Sequence, residues 1–218
     1  VEVENRAVVE KVRSNLTTPD EWKIAFDEGR DSATGQDVAI LTKFKIVQGS
    51  VTNFPEEREF FFVREEERDV NPSKILGVEL KIDTEPVYLL ITHLISRSRP
   101  NDEKRLAQAT VVRRQAVKAL IDEKHVIIMG DINDTPGTPT LKRLRGFDDI
   151  WGTLIQTANS VAAEERYTYI YNGQKHLLDH VLISPSLRGE FRAVGVDQRC
   201  KIVDVGELSD HRAILARL

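Results

Sequence analysis

Short runs of β-branched, aliphatic and aromatic residues, each cut off by Gly, Pro, Asn or Asp, follow one another along almost the whole chain and confine it to a strand-rich architecture. Residues 37–42, 59–63, 75–82, 87–92, 125–129, 167–171, 177–183 and 212–218 read as strands on this basis. Two segments have helical spacing instead: residues 4–13, with Val8, Val9 and Val12 on one side, and residues 103–121, with Leu106, Ala109, Val112, Ala116 and Leu120. The second leads directly into an apolar strand that stops at Gly130 and Asp131, which is how a crossover helix returns a chain to a sheet. No repeat, low-complexity tract or linker interrupts the 218 residues, so one domain over residues 1–218 is expected. A chain of this size buries roughly 70% of its unfolded surface, and its core needs neither disulfides nor a structural metal.

Composition excludes several classes of protein. Cys200 is the only cysteine, which rules out an internal disulfide framework and a cysteine-based zinc site; it is expected to be a small buried hydrophobe. The apolar stretches 87–91 and 126–129 are far below the ~20 residues of a membrane helix. Lys and Arg total 31 against 35 Asp and Glu, a net charge of -4, which argues against a uniformly basic surface and leaves room for a local basic patch. The charged stretch at residues 64–69 reads as a solvated hairpin tip. Val1 to Asn5 carry no initiator Met, basic n-region or apolar h-region and read like the middle of something.

Four segments carry the chemistry. The strand ending in Gly130-Asp131-Ile132-Asn133 delivers Asp131 and Asn133 to its C-terminal end, either as an Asx turn closing the strand or as polar groups that converge on a ligand. An EF-hand loop is excluded, because Pro136 and Lys142 stand where glycine and glutamate belong. Asp179 lies in an otherwise apolar run, where a carboxylate needs a charged, metal or hydrogen-bonding partner. Ser209-Asp210-His211 precedes the last apolar strand, and His93 ends the strand at 87–92. Three of the five histidines, His93, His180 and His211, thus sit at or near apolar strands, whereas His125 and His176 read as surface residues. Carboxylates for a hard cation, an Asp and Asn to orient water, and imidazoles titrating near neutrality suit the hydrolysis of a phosphate ester. Serine nucleophile elbows, Walker loops, dinucleotide fingerprints and His-Glu-x-x-His are absent.

In that combination the sequence resembles the endonuclease/exonuclease/phosphatase superfamily, the DNase I-like fold. The residues that carry the resemblance are Glu2 in Val1-Glu2-Val3-Glu4-Asn5, Thr92-His93-Leu94, Gly130-Asp131-Ile132-Asn133, Leu178-Asp179-His180 and Ser209-Asp210-His211, in the family's order along the whole chain. The resemblance implies an α/β, four-layered sandwich of two mostly antiparallel sheets flanked by helices, and hydrolysis of phosphodiesters or phosphomonoesters with Mg2+, Mn2+ or Ca2+. It makes Glu2 the principal metal ligand, assisted by Asp210; Asp131 the group that orients or deprotonates water; and Asn133 a donor to the phosphate or the water. His211 would contact the phosphoryl oxygen, held by Asp179. His93 would face the phosphate from the other side, as donor or as acid for the leaving oxygen, with Asp37 or Gln36 supporting it. His180 is left either as a structural residue or as one that supports the site from behind.

The family also has an earlier strand carrying an asparagine near the metal, followed by a strand that ends at the glutamate matched by Glu2. This chain starts one residue before that glutamate, and Asn5 is too close to Glu2 to substitute. A missing N-terminal segment is therefore expected, with an unpaired sheet edge and a risk of strand exchange between copies. The start, the stretches Gly29-Arg30-Asp31-Ser32 and Gly35-Gln36-Asp37, and His93-Leu94-Ile95-Ser96 are similar to bacterial nuclease-like members, which implies a soluble bacterial protein, cytoplasmic or secreted. Arg97, Arg99, Lys104, Arg105, Arg113 and Arg114 form either a positive rim for a polyanion or the solvated face of a helix and its lead-in loop. The expected activity is a nuclease-like phosphodiesterase on DNA or RNA. The alternatives are a phosphomonoesterase or lipid or inositol phosphate hydrolase, and, from another class, a silent phosphate-recognising domain.

Overall fold

The computed structural model describes residues 1–29, 34–97 and 101–218; Arg30-Asp31-Ser32 and Arg99 lie outside the described residues. In chain order the elements are α1 (Arg6–Ser14), β1 (Lys23–Ala25), β2 (Ile40–Thr42), β3 (Lys45–Ile46), β4 (Glu59–Val63), β5 (Glu66–Val70), β6 (Ile75–Ile82), β7 (Glu85–Thr92), α2 (Asp102–Ile121) and β8 (His125–Asp131). They continue with α3 (Pro139–Arg145), β9 (Ile155–Gln156), β10 (Tyr169–Tyr171), β11 (Gln174–His176), β12 (Asp179–Ile183), α4 (Arg188–Ala193), α5 (Val196–Arg199), β13 (Cys200–Val203) and β14 (Ala213–Ala216).

The strand and helix expectations hold within a few residues, and each displaced end has a local cause. The first helix starts after Asn5, because the Asn5 side chain accepts a hydrogen bond from the Val8 amide at 3.2 Å and caps it. The strand expected at 37–42 begins only at Ile40; Asp37 forms an isolated bridge to Val3. The stretch at 64–69 is a tip only at Arg64 and Glu65, both with positive φ; Glu66 to Asp69 form most of the exposed strand β5, paired to β4.

A mixed sheet in the order β3-β6-β7-β8-β12-β9 forms the centre. Its pairings are antiparallel except for β7 and β8, which run parallel and are joined by α2, as a parallel pair requires a crossover. Side chains alternate between the two faces. Leu89, Ile91, Ile127, Met129, Val181 and Ile183 belong to one apolar cluster, completed by Ala25, Val38 and Ile40 around β1 and β2 and by Cys200 and Ile202 of β13. Leu90, Val126, Ile128 and Leu182 belong to the other, where α2 contributes Ala109, Val112, Ala116 and Ala119. Burying each such aliphatic side chain contributes about 1.5–3 kcal/mol, and the strand period decides which face receives it. Opposite α2 the expected second sheet consists, among the described residues, of separate ribbons β1-β2 and β13-β14. Cys200 is buried as expected.

The topology also sets where polar groups converge. Parallel β7 and β8 end at the same edge, and antiparallel β12 starts there. The approach is close: Gly130 has φ +131, and a Cβ on it would lie 2.0 Å from the Thr92 carbonyl oxygen, so only glycine fits.

Candidate active site

His93 follows β7, Asp131 ends β8, and Asp179 opens β12 directly opposite Asp131 in the antiparallel register. Two carboxylates therefore share one face at a cross-strand position, where like charges repel. Glu2, His93, Asp131, Asn133, Asp210 and His211 all line one cavity of about 830 Å³, together with Ser96, Arg97 and Asp102. Of the residues expected at the site, Asp179 sits just behind, and its Oδ2 accepts a 2.7 Å hydrogen bond from His211 Nδ1.

Asp131 is clamped. Its Oδ1 accepts the Asn133 amide at 2.8 Å, the Asx turn foreseen from the sequence, and its Oδ2 accepts Asn133 Nδ2 at 3.1 Å. Asn133 Nδ2 also donates to the Leu94 carbonyl at 2.9 Å. Both amide hydrogens of Asn133 are thus engaged within the protein, and they tie its side chain to Asp131. A left-handed backbone, φ 53, turns Asn133 back toward the strand end, a conformation that asparagine tolerates. Burial, then the charge of Asp179, pushes the Asp131 carboxyl up to about 7. The hydrogen bond to Asp179, followed by that carboxylate's charge, holds His211 up at about 9, which keeps it cationic near neutrality. The Tyr169 ring packs on the His211 ring, centroids 4.7 Å apart.

His93 stands between carboxylates without a hydrogen bond to either: Nε2 is 3.6 Å from Asp131 and Nδ1 3.8 Å from Glu2. Burial, then Lys74, lowers its proton affinity, which favours the neutral imidazole with one N–H to offer. Asp37 is buried, and its Oδ1 accepts the Gly29 amide at 2.9 Å, which orders the loop before β2. His180 is structural, one of its two expected roles: it is 1% exposed, with Nε2 2.9 Å from the Asp134 carbonyl.

The basic rim is corrected in several places. Arg105 is 2% exposed; it pairs with Asp134 at 3.2 Å and Asp102 at 2.6 Å and so ties α2 to the loop after Asp131. Arg113 is buried on a bidentate pair with Asp149, and Arg114 binds Glu57 and Glu59 of the neighbouring hairpin. They point inward or sideways because the faces of α2 that carry them pack on the sheet, α3 and β4. Among the described arginines read as a rim, Arg97 alone is exposed at the cavity.

The opposite wall was not foreseen. Asn172-Gly173, with φ 48 and 75, makes a tight turn that folds β10 onto β11. The hairpin brings Tyr169, Tyr171, Gln174 and His176 to the cavity, so His176 is a cavity residue, and His125 packs on Ser186 at 2.8 Å. The Asn-Gly pair was the available sequence signal.

The donor set fits a hard divalent cation. Glu2, Asp131 and Asp210 present carboxylates to one cavity, an all-oxygen donor set of the kind such an ion takes. Asp131, Asp179 and His211 also have ligand atoms within 4.8 Å of one another, but the charged, Asp179-bound His211 has no lone pair free for a metal. Glu2 and Asp210, both exposed at the cavity, are the better donors.

A sequence model of the Endonuclease/Exonuclease/phosphatase family matches residues 1–205. The chain belongs to this family. It is a phosphoester hydrolase with a DNase I-like fold. Truncated Caenorhabditis elegans TDP2 superposes with a TM-score of 0.60 at 18% identity, covering 98% of this chain and 79% of that one. D. rerio TDP2 complexed with a single strand DNA product gives 0.62 at 16% identity, over 98% and 81%. Beta toxin from Staphylococcus aureus gives 0.55 at 18% identity, over 96% and 82%. No curated protein sequence matches the chain. Among the described residues no helix is long and apolar enough to cross a membrane.

Proposed function

We propose that the chain is a divalent-metal-dependent phosphodiesterase acting on DNA or RNA, from a single domain. The observation that carries the reading is geometric: Asp131, Asn133, His93 and the Asp179-aligned His211 meet in one open cavity with the Glu2 and Asp210 carboxylates. Asp131, raised to about 7, takes the proton of the attacking water near the working pH. Asn133, bonded to both carboxylate oxygens, holds Asp131 in a fixed orientation for that step. The His211 imidazolium, aligned by Asp179, donates to a phosphoryl oxygen as negative charge grows there. His93 offers a neutral N–H from the other side, and Arg97 faces the polyanion at the rim. Glu2 and Asp210 would hold Mg2+, Mn2+ or Ca2+, and the bound ion supplies the positive charge that eases attack on a doubly esterified phosphate. D. rerio TDP2, which shares the fold, is seen with a single strand DNA product, in keeping with a nucleic acid as substrate here.

The test is turnover of plasmid DNA, RNA, bis-p-nitrophenyl phosphate and p-nitrophenyl phosphate, after chelation and with each metal added back. Hydrolysis of nucleic acid and the diester, restored by metal and reduced at least about a hundredfold in Asp131→Asn, is expected. Turnover of the monoester alone would refute the reading.

A further inference from the structure

We infer that the β10-β11 hairpin is the specificity element of this site and that Tyr171 and Gln174 hold a nucleobase next to the scissile phosphate. The inference rests on the nucleic-acid reading above and says which part of the substrate the protein grips. In the antiparallel register Tyr169 faces His176 and Tyr171 faces Gln174, while Ile170 faces Lys175. Directly opposed residues share a face and successive residues alternate, so the hairpin has one face of Tyr169, Tyr171, Gln174 and His176 and another of Ile170 and Lys175. The first face lines the cavity in full. Lys175 is turned away, its Nζ on the Glu164 carbonyl at 3.0 Å and over the Tyr167 ring.

The residues on the cavity face differ in what they have left to offer. Tyr169 is occupied by the His211 ring, which places the hairpin at stacking distance from the group that meets the phosphate. Tyr171, one strand pitch further out, is 60% exposed and presents its ring to the cavity beside Gln174. A flat ring next to an amide with both donors and an acceptor matches a nucleobase, which has a π-face and a hydrogen-bonding edge. An acyl chain offers neither, and a sugar has no π-face. The hairpin is positioned by the catalytic strand itself, since the Thr168 amide donates to the His176 carbonyl at 2.8 Å and Thr168 Oγ1 accepts the Asp179 amide at 3.1 Å.

The experiment compares kcat/KM on a single-stranded DNA oligonucleotide and on one of equal length whose residues are tetrahydrofuran abasic analogues, which keep the phosphates and lack the bases. The wild-type chain is expected to prefer the first by about tenfold. Tyr171→Ala and Gln174→Ala should bring that ratio close to one, Tyr171→Phe should restore it, and Ile170→Ala, on the far face of the same hairpin, should keep it. A wild-type ratio of one, an undiminished ratio in Tyr171→Ala, or an equal collapse in Ile170→Ala overturns the inference while leaving the nuclease reading intact. Failure of the wild type on both oligonucleotides, with turnover of bis-p-nitrophenyl phosphate, overturns both.

Discussion

Asp131 and His211 are moved in the same direction by different forces, and the difference sets the pH window. Asp131 is raised to about 7 mainly by burial, so its active, deprotonated form accumulates above that pH. His211 is raised to about 9 mainly by its bond to Asp179, so its active, protonated form is lost above that pH. The rate is therefore expected to rise through about 7 and fall through about 9. Replacing Asp179 by Asn removes the first cause of the His211 shift and only the second cause of the Asp131 shift. The alkaline limb should move down by more than the acid limb, narrowing the bell, and kcat should drop about tenfold to a hundredfold. A kcat profile with an unmoved alkaline limb would contradict the role given to Asp179. At this scale the sequence was legible where a polar residue broke an apolar run, as at Asp131, Asp179 and His211. It was misleading for Arg105, because charge alone does not tell which side of a helix meets a partner.

The elements converge because β7, β8 and β12 share one sheet edge, and a single buried hydroxyl locks the hairpin to that edge. Thr168 is 0% exposed; its Oγ1 accepts the amides of Leu178 at 3.0 Å and Asp179 at 3.1 Å. Its carbonyl accepts the Arg212 amide at 2.7 Å, next to His211. Thr168→Val keeps the shape and leaves two amides without their acceptor, so a loss of about 1–3 kcal/mol is expected, read as a lower Tm. Activity should fall further than stability, since Asp179 and His211 both lose their alignment, while Thr168→Ser should retain both properties. Equal Tm values for wild type and Thr168→Val would show that the hydroxyl is not holding the strand. The buried strands β6, β7, β8 and β12 were plain in the sequence because their apolar alternation repeats on both faces of the sheet. Strand β10 was legible too, within residues 167–171, but its partner β11 was not, because Gln, Lys and His give no core pattern and only Asn172-Gly173 marks the turn onto it. Strand β5 was hidden for the same reason, as its Glu, Arg and Asp side chains face solvent and only the pairing to β4 makes them a strand.

For the molecule as a whole, a net charge of -4 would seem to oppose a polyanionic substrate, but the distribution of the 31 basic residues matters more than the sum. Arg105, Arg113 and Arg114 are paired with Asp102, Asp134, Asp149, Glu57 and Glu59 within the protein, stapling α2 to the loops and hairpin around it. They have no charge left over to displace counterions from nucleic acid. Of the cations that cluster after His93 in the sequence, only Arg97, Lys104 and Arg99 remain, the last outside the described residues. Binding therefore has to come from the cavity, through the His211 cation, hydrogen bonds and the hairpin, more than from long-range attraction. Each phosphate neutralised on a single strand contributes about -0.7 to the slope of log affinity against log salt. With the His211 imidazolium included, full use of the six sequence cations would give a slope of about -5, whereas the three that remain would give about -3. Fluorescence anisotropy of labelled single-stranded DNA with the Asp131→Asn variant, across a potassium chloride titration, should give the shallower value, and the steep one would mean that the internal arginine pairs open to meet the substrate.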